Sequence, residues 1–307
     1  MRKRNNKIIY FISRWYEGTA YKNINFMRDN FGGEIIKDNI FEVRQMIKSY
    51  KPDFMVVRGD TREDYLIPLK SNIPYILIEN DINSMRRKYV KEILKHERRK
   101  IENASAVIFT SEEHAKYYRE LKRKHGWKIP YYEIIHTRPL KKDLDFEPKE
   151  KLEGLNLVYA GGAIPHWMRR TSHYGYRCYH EILEAFIKAR WNVHIYSASY
   201  NTGKLSEYKG IGCKIHDNLP YKMLLQEMSQ YTAGLHGYNK TGVMEKAFDY
   251  TQTCRGNKIW DYLAAGIPTI GYQGGNGTKI YKGKWGITIK DLEEKTLKNI
   301  PKRLAKL

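Results

Sequence analysis

Two runs of alternating strand-like and helix-like segments, parted by a charged stretch with two prolines, constrain this chain more than any other feature. In the first run "KIIYFI" reads as a buried strand and "NIFEVRQMIKSY" as a helix. "PDFMVVRGD" and "IPYILIEND" follow as strands, then the long helix "SMRRKYVKEILKHERRKIEN". "ASAVIFTS" is a strand, Ser111 the N-cap of helix "EEHAKYYRELKRKHG", and "YYEIIHT" closes the half. The second run reads strand "LNLVYAGG", helix "YHEILEAFIKARW", strands "NVHIYSAS" and "CKIHD", helix "PYKMLLQEMSQ" and strand "AGLHGY". Continuously apolar strands separated by helices predict a parallel sheet covered on both faces. The expected class is therefore α/β, with two Rossmann-like domains whose parallel sheets face a central cleft at their carboxyl ends. The boundaries expected are 1–140, a linker at 141–154, and 155–307, with the last helix packing back on the first domain.

The run ends in "NKIWDYLAAGIPTIGY", a helix followed by the short strand "TIGY". Gly266 stands where a helix stops at C′, and Pro268 forbids its continuation. Asn257, Lys258 and Asp261 lie three and four residues apart, which puts them on one helical face. On an isolated surface helix this would be one ion pair. In a ligand cleft it is a polar face with Asn257 as N-cap.

Composition narrows the partners. The chain has 307 residues, of which 55 are basic and 34 acidic, a net charge of +21. Residues 1–150 carry 32 basic and 22 acidic side chains, and 151–307 carry 23 and 12, so the excess (+10 and +11) is not confined to a tail. Such a chain attracts polyanions, whether nucleic acid or an anionic membrane surface, unless it merely reflects a Lys-rich proteome. "IIYFI" is too short for a signal-peptide core or a membrane span. Three widely spaced cysteines, Cys178, Cys213 and Cys254, form neither a metal pattern nor a disulfide framework, which fits a cytoplasmic protein.

Four segments in order, "LVYAGG", "HDNLPYKMLLQEMSQ", "AGLHGY" and "NKIWDYLAAGIPTI", resemble the donor-binding domain of GT-B-fold glycosyltransferases. The first half is similar more weakly, through "ASAVIFTSEEHAKYY" and its strand order. The resemblance implies a GT-B-like fold and transfer of a sugar from a nucleotide-sugar donor, a UDP-sugar first, with Asp261 matching the family's ribose-binding carboxylate. Physical roles follow for the other residues. Asn257 and Lys258 stand at a helix start that accepts a diphosphate. Gly161 and Gly162 let backbone approach a ligand closely. Arg169, Arg170 and Arg177 are candidates to neutralise the departing diphosphate, with one of the three expected to act. His216 and Leu219, in "HDNLPY", lie where related enzymes hold the base, and His236 and Tyr238 end a strand at the cleft. None of these four segments carries an Asp-x-Asp pair, so no metal and no further cofactor are expected. Retaining members often carry two glutamates separated by seven residues, and here Thr253 occupies the first position. That tilts the expectation toward inversion, which needs a general base from the first half. Asp81 is the first candidate, Asp60 the second and Glu17 the third, each otherwise a turn or capping residue.

The acceptor is read from charge. Residues 86–100 hold eight basic side chains, among them Arg86, Arg87, Lys91, Arg98 and Arg99, and "KYYRELKRKHGWK" adds six more, including Lys122, Arg123 and Lys124, interleaved with Tyr117, Tyr118 and Trp127. Basic side chains on phosphates and aromatics on extruded bases suit nucleic acid. The favoured acceptor is a hydroxylated base in DNA, flipped into the cleft, as in virus-encoded DNA-modifying members of the fold. The alternatives are a peripheral membrane enzyme acting on an envelope glycan or lipid, and a non-catalytic nucleic-acid-binding protein on the same fold.

Overall fold

The computed structural model describes residues 6–12, 19–37, 39–59, 62–86, 90–197, 205–243, 245–254 and 256–307. It divides into two compact units, Met1–Ser84 with Lys88–Arg138, and Pro139–Leu307 with Met85–Arg87. Each is a six-stranded parallel sheet with helices in its crossovers.

The first unit runs β1 (Ile8–Ile12), α1 (Thr19–Phe31), β2 (Glu34–Lys37), α2 (Ile40–Tyr50), β3 (Phe54–Arg58), α3 (Arg62–Lys70), β4 (Tyr75–Glu79), α4 (Asn83–Arg86), α5 (Val90–Glu102), β5 (Ala106–Phe109), α6 (Glu112–His125) and β6 (Tyr131–Ile134). Its sheet order is β2-β1-β3-β4-β5-β6. The caps follow the sequence: Asn39 accepts from the Glu42 amide, Ser111 accepts from the His114 amide, and Gly126 ends α6 in the left-handed region. The single long helix expected after β4 is described as α4 and α5, with 87–89 outside the described residues. Helix α1, strand β2 and helix α3 were not predicted: α1 is polar on average and β2 is only four residues long.

The second unit runs β7 (Asn156–Ala160), α7 (His180–Lys188), β8 (Asn192–Tyr196), α8 (Ser206–Gly210), β9 (Lys214–His216), α9 (Tyr221–Met228), β10 (Ala233–Gly237), α10 (Glu245–Thr253), α11 (Lys258–Ala264), β11 (Thr269–Tyr272), α12 (Thr278–Tyr281), β12 (Gly286–Ile289), α13 (Glu294–Lys298) and α14 (Ile300–Leu304). The order is β12-β11-β10-β7-β8-β9. The order reverses between β7 and β10, and it is outside the strand ends at such a switch point that open α/β sheets bind ligands. Helix α11 closes as its sequence dictates. Gly266 has φ +69°, its amide bonds Leu263 O, and the Ile267 amide bonds Tyr262 O, which is a Schellman stop.

Two further expectations differ. Segment 141–154 is fastened within the second unit, where the Lys149 amide bonds Ser229 Oγ (2.8 Å) and Lys151 Nζ bonds the Ser229 and Tyr231 carbonyls. The closing helix α14, expected to return to the first domain, packs in the second unit. Ile300 joins that unit's apolar core, and Arg303 donates to Thr288 O (2.8 Å). Among the described residues, no helix is long and apolar enough to cross a membrane.

Candidate functional site

The switch point is built by a tyrosine. Strands β7 and β10 pair only at Leu157–Ala233 and Val158–Gly234 before they part. Into the fork goes the Tyr262 hydroxyl from α11, donating to Leu235 O (3.0 Å) and accepting from the Ala160 amide (3.1 Å). Gly234 makes room for that ring, because a methyl there would lie 2.4 Å from it. The contact sets α11 against the strand ends, and with it Lys258 and Asp261.

Lys258 is the centre of the site. Its ammonium donates to Tyr159 Oη (3.1 Å) and lies over the rings of Tyr159, Tyr179 and Tyr238 at 4.1, 5.5 and 6.0 Å. Such cation–π contacts hold a desolvated charge without neutralising it. Burial, and then the Arg177 charge, push the Lys258 pKa down to about 7, against the opposing pull of Cys254 and Asp261. Among the described residues it has no carboxylate at ion-pair distance. Gly161, at φ +146°, passes beside it, and a methyl on Gly161 would stand 3.5 Å from Lys258 Cε. Gly162 lies under Arg177, whose guanidinium would be 3.1 Å from a methyl there. Arg177 also stacks on Tyr174 and Tyr176, at 4.9 and 5.6 Å. Two cations and a glycine pair thus converge at the switch point.

One turn along α11, Asp261 accepts a hydrogen bond from Tyr221 Oη (2.6 Å), which opens α9 after the β9 loop. That bond fixes the carboxylate and ties the expected base-binding segment to the expected ribose-binding residue. His216, on edge strand β9, stacks at 6° on His194 and at 9° on Tyr196, and its Nε2 is 2.9 Å from His194 Nδ1. Leu219 is half-buried in the loop beyond.

Several sequence expectations are corrected. Asn257 makes no side-chain cap, because its own backbone is already helical (φ −58°, ψ −32°). Arg169 is 8% exposed and paired with Glu181, a carboxylate that also accepts from Asn239 Nδ2 (3.0 Å). Burial opposes ionisation of Glu181, but hydrogen bonds from backbone and Arg169 outweigh it and hold its pKa below the usual value. Arg169 is therefore spent on anchoring the 166–177 loop to α7. Arg170 is exposed, and of the three arginines only Arg177 stands with Lys258. His236 is fully buried, its Nδ1 3.0 Å from Tyr281 Oη, and burial with Lys258 nearby lowers its pKa to about 3. It is a neutral core residue, walled by Gly256, Gly274 and Gly277, rather than a ligand contact. Tyr238 is likewise buried and serves as one wall of the Lys258 cage. Sequence reasoning missed Tyr159, Tyr179 and Tyr221. The only signal was position: Tyr159 is the penultimate residue of β7, Tyr179 the N-cap of α7 and Tyr221 the first residue of α9.

In the first unit, Asp81 lies two residues beyond the carboxyl end of β4, while Asp60 and Glu17 fall outside the described residues, as does Arg87. Arg86 closes α4. Lys91, Arg99, Lys122, Arg123 and Lys124 are exposed, and Arg98 pairs with Glu102 at 2.9 Å. The aromatics expected to stack on bases are mostly core: Tyr118 is fully buried, Trp127 is 4% exposed, and Tyr117 Oη lies 2.9 Å from Ser84 Oγ. Lys100, counted in the basic run, is buried against Glu79 (2.5 Å) and the Gly59 carbonyl (3.0 Å). Among the described residues, no cluster of three His, Cys, Asp or Glu is placed to hold a metal, and all three cysteines are buried and unpaired as disulfides.

No family model and no curated protein matches this sequence. Solved structures do match. Sucrose-phosphate synthase from Thermosynechococcus elongatus superposes with a TM-score of 0.64 at 13% identity, over 97% of this chain and 90% of that one. Anabaena HepE in complex with UDP-glucose gives 0.60 at 12%, over 96% and 89%. An E. coli trehalose-6-phosphate structure bound with UDP-2-fluoro glucose gives 0.63 at 7%, over 98% and 92%. At such identities the likeness establishes the fold: the chain has the GT-B-like architecture of two Rossmann-like domains.

Proposed function

We propose that this chain is a glycosyltransferase that moves a sugar from a nucleotide-sugar donor, a UDP-sugar, to the hydroxyl of an anionic acceptor. The observation that carries it is Lys258, a largely desolvated ammonium held beside Gly161, Gly162 and Arg177 at the switch point of the second sheet. A diphosphate would supply counter-charge to Lys258, which has no carboxylate at ion-pair distance among the described residues, and Asp261, one turn away, suits a ribose diol. Three of the matched structures hold UDP, UDP-glucose or a fluorinated analogue, which supports the donor class.

In the transfer, the acceptor oxygen bonds to the anomeric carbon while the bond from that carbon to the diphosphate oxygen breaks. The nucleoside diphosphate leaves with the electron pair, and its growing charge falls to Lys258 and Arg177. The acceptor proton passes to a general base, for which Asp81 is proposed. Inversion is the proposed stereochemistry, since Thr253 stands where a retaining member would carry a glutamate. No step calls for a metal when two cations meet the diphosphate.

The acceptor's anionic character rests on the +21 charge and on the exposed Lys122, Arg123 and Lys124 in the last turn of α6. A hydroxylated DNA base remains a reading supported by charge alone, because Tyr118 and Trp127 are too buried to stack on it. A screen of UDP-sugars against hydroxymethylated DNA, phosphorylated sugars and lipid-linked glycans, read by mass spectrometry, tests the proposal. Donor hydrolysis or transfer is expected. If no nucleotide sugar is bound or turned over, the proposal falls.

A further inference from the structure

The tyrosines around the Lys258 nitrogen have their hydroxyls already engaged. Tyr159 donates to Gly162 O (2.8 Å) and Tyr179 to Gly237 O (3.0 Å), while Tyr238 Oη lies 3.6 Å from Cys254 Sγ. Burial holds all three phenols above the ordinary tyrosine pKa, so the cage stays neutral. Because its proton is spent on Gly162, Tyr159 offers Lys258 a lone pair at 3.1 Å, which a single N–H fills. Among the described residues no other acceptor stands within hydrogen-bond distance of this nitrogen.

The charged and titratable groups that face Lys258 do not balance its charge. Arg177, from the 166–177 loop, opposes it as a like charge. Asp261, on α11 itself, and Cys254, after α10, favour the ammonium only weakly enough that its pKa still falls to about 7. His236, from β10, is neutral, with a pKa of about 3. Space is open on the glycine side. A methyl on Gly161 would stand 3.7 Å from Lys258 Nζ, and one on Gly162 would stand 3.1 Å from an Arg177 guanidinium nitrogen. Two adjacent residues without side chains thus border both cations, and Lys258 is half-buried rather than sealed. A small uncharged solute can reach the amine.

A reaction that turns this amine into an anion replaces two repelling cations by an ion pair. We propose that Lys258 forms a carbamate with dissolved carbon dioxide in the donor-free protein, and that this modification closes the diphosphate site. The neutral amine gives its lone pair to the carbon of carbon dioxide. An N–C bond forms, one C–O π pair moves onto oxygen, and the nitrogen releases one proton to solvent. No oxidant or reductant takes part, and loss of carbon dioxide reverses the step. The product keeps one N–H for Tyr159 Oη and gives Arg177 a carboxylate partner. Asp261 opposes the new anion, but its own carboxylate is tied to Tyr221 Oη at 2.6 Å. Selectivity follows from the neutral fraction. At pH 8 roughly nine-tenths of Lys258 is unprotonated, against roughly one in three hundred for a lysine at 10.5. The modification stands without the donor reading; closure of the diphosphate site rests on it.

The test exposes donor-free protein to ¹³C-labelled carbon dioxide at pH 8, traps carbamates as ethyl esters with a trialkyloxonium salt, and maps them by peptide mass spectrometry. The α-amino group is the other amine with a large neutral fraction at this pH, so the position must be mapped. An ethyl carbamate on Lys258 is expected, matched by a carbamate carbon resonance that is lost in Lys258→Arg. Arg177→Gln, which removes both the like charge and the counter-ion, should lower occupancy at Lys258 several-fold. Saturating UDP-glucose should abolish the label there. Carbon dioxide at constant pH should weaken UDP-glucose binding at least about threefold in the wild type and not in Lys258→Arg. Label confined to the α-amino group or to surface lysines would overturn the assignment, as would unchanged occupancy in Arg177→Gln. A Lys258 carbamate that survives bound UDP-glucose would overturn the closure. A Lys258 carbamate in a protein that binds no UDP-glucose would overturn the donor reading and leave the modification standing.

Discussion

Raising the pH from 6 to 9 should weaken donor binding through one group, Lys258. Free, its pKa is about 7, lowered from 10.5 first by burial and then by Arg177. A bound diphosphate contacts the ammonium and restores an ordinary lysine pKa, so only the protonated protein binds well. The apparent affinity then scales with the protonated fraction, which falls to roughly a tenth at pH 8 and roughly a hundredth at pH 9. Each step costs about 1.4 kcal/mol. UDP-glucose is the ligand of choice, because its esterified diphosphate does not titrate in this window. Calorimetry at pH 8 in buffers of different ionisation enthalpy should report the uptake of nearly one proton. Lys258→Arg, which keeps its charge at every pH used, should flatten the profile. Stability of the ligand-free chain moves the opposite way. The unfolded lysine binds its proton up to 10.5 and the folded one only up to about 7, so this group's contribution to stability rises with pH between those values. A flat wild-type binding profile, or no proton uptake at pH 8, would refute the placement of Lys258 on the diphosphate.

Other outcomes follow from the same geometry. Asp261→Ala should weaken UDP-glucose binding about tenfold or more, the range for hydrogen bonds to a charged group, with little change in Tm. Tyr221→Phe should have a smaller effect through the lost 2.6 Å bond, and unchanged affinity in both variants would remove Asp261 from the site. Asp81→Asn should abolish transfer while leaving donor affinity intact, and normal turnover would assign the base elsewhere. Gly234→Ala forces a methyl to within 2.4 Å of the Tyr262 ring and should cost at least about 1–3 kcal/mol by denaturant unfolding. A wild-type midpoint would show that the β7–β10 fork is not tightly packed. DNA binding, if it occurs, should fall steeply with salt through the α6 lysines, and a flat profile would exclude phosphate contacts there.

What the sequence made legible was set by periodicity and by special backbone positions. The apolar strands, Ser111 and Gly266 are local signals, and each reappears in the structure with the role its chemistry demands. Helix α10 was missed because "EKAFDYTQT" lies between two stronger patterns and reads as loop. The site was legible only in part, since burial reverses what a charged or polar residue means. Arg169 and Lys100 look in sequence like any other basic side chain, yet one closes on Glu181 and the other on Glu79 inside the protein. Taking a charge out of water is tolerable only with a partner of this kind, so both are committed to holding their own folds together. Lys258 is the informative exception. It is half-buried where Arg169 and Lys100 are buried, and what surrounds it is three tyrosine rings, two glycines and a second cation, with no carboxylate at ion-pair distance among the described residues. A cage that keeps a lysine near the edge of deprotonation does little for the empty fold, and its cost is recovered when an anion arrives. On the proposed reading the donor, rather than the stability of the second unit, accounts for Lys258.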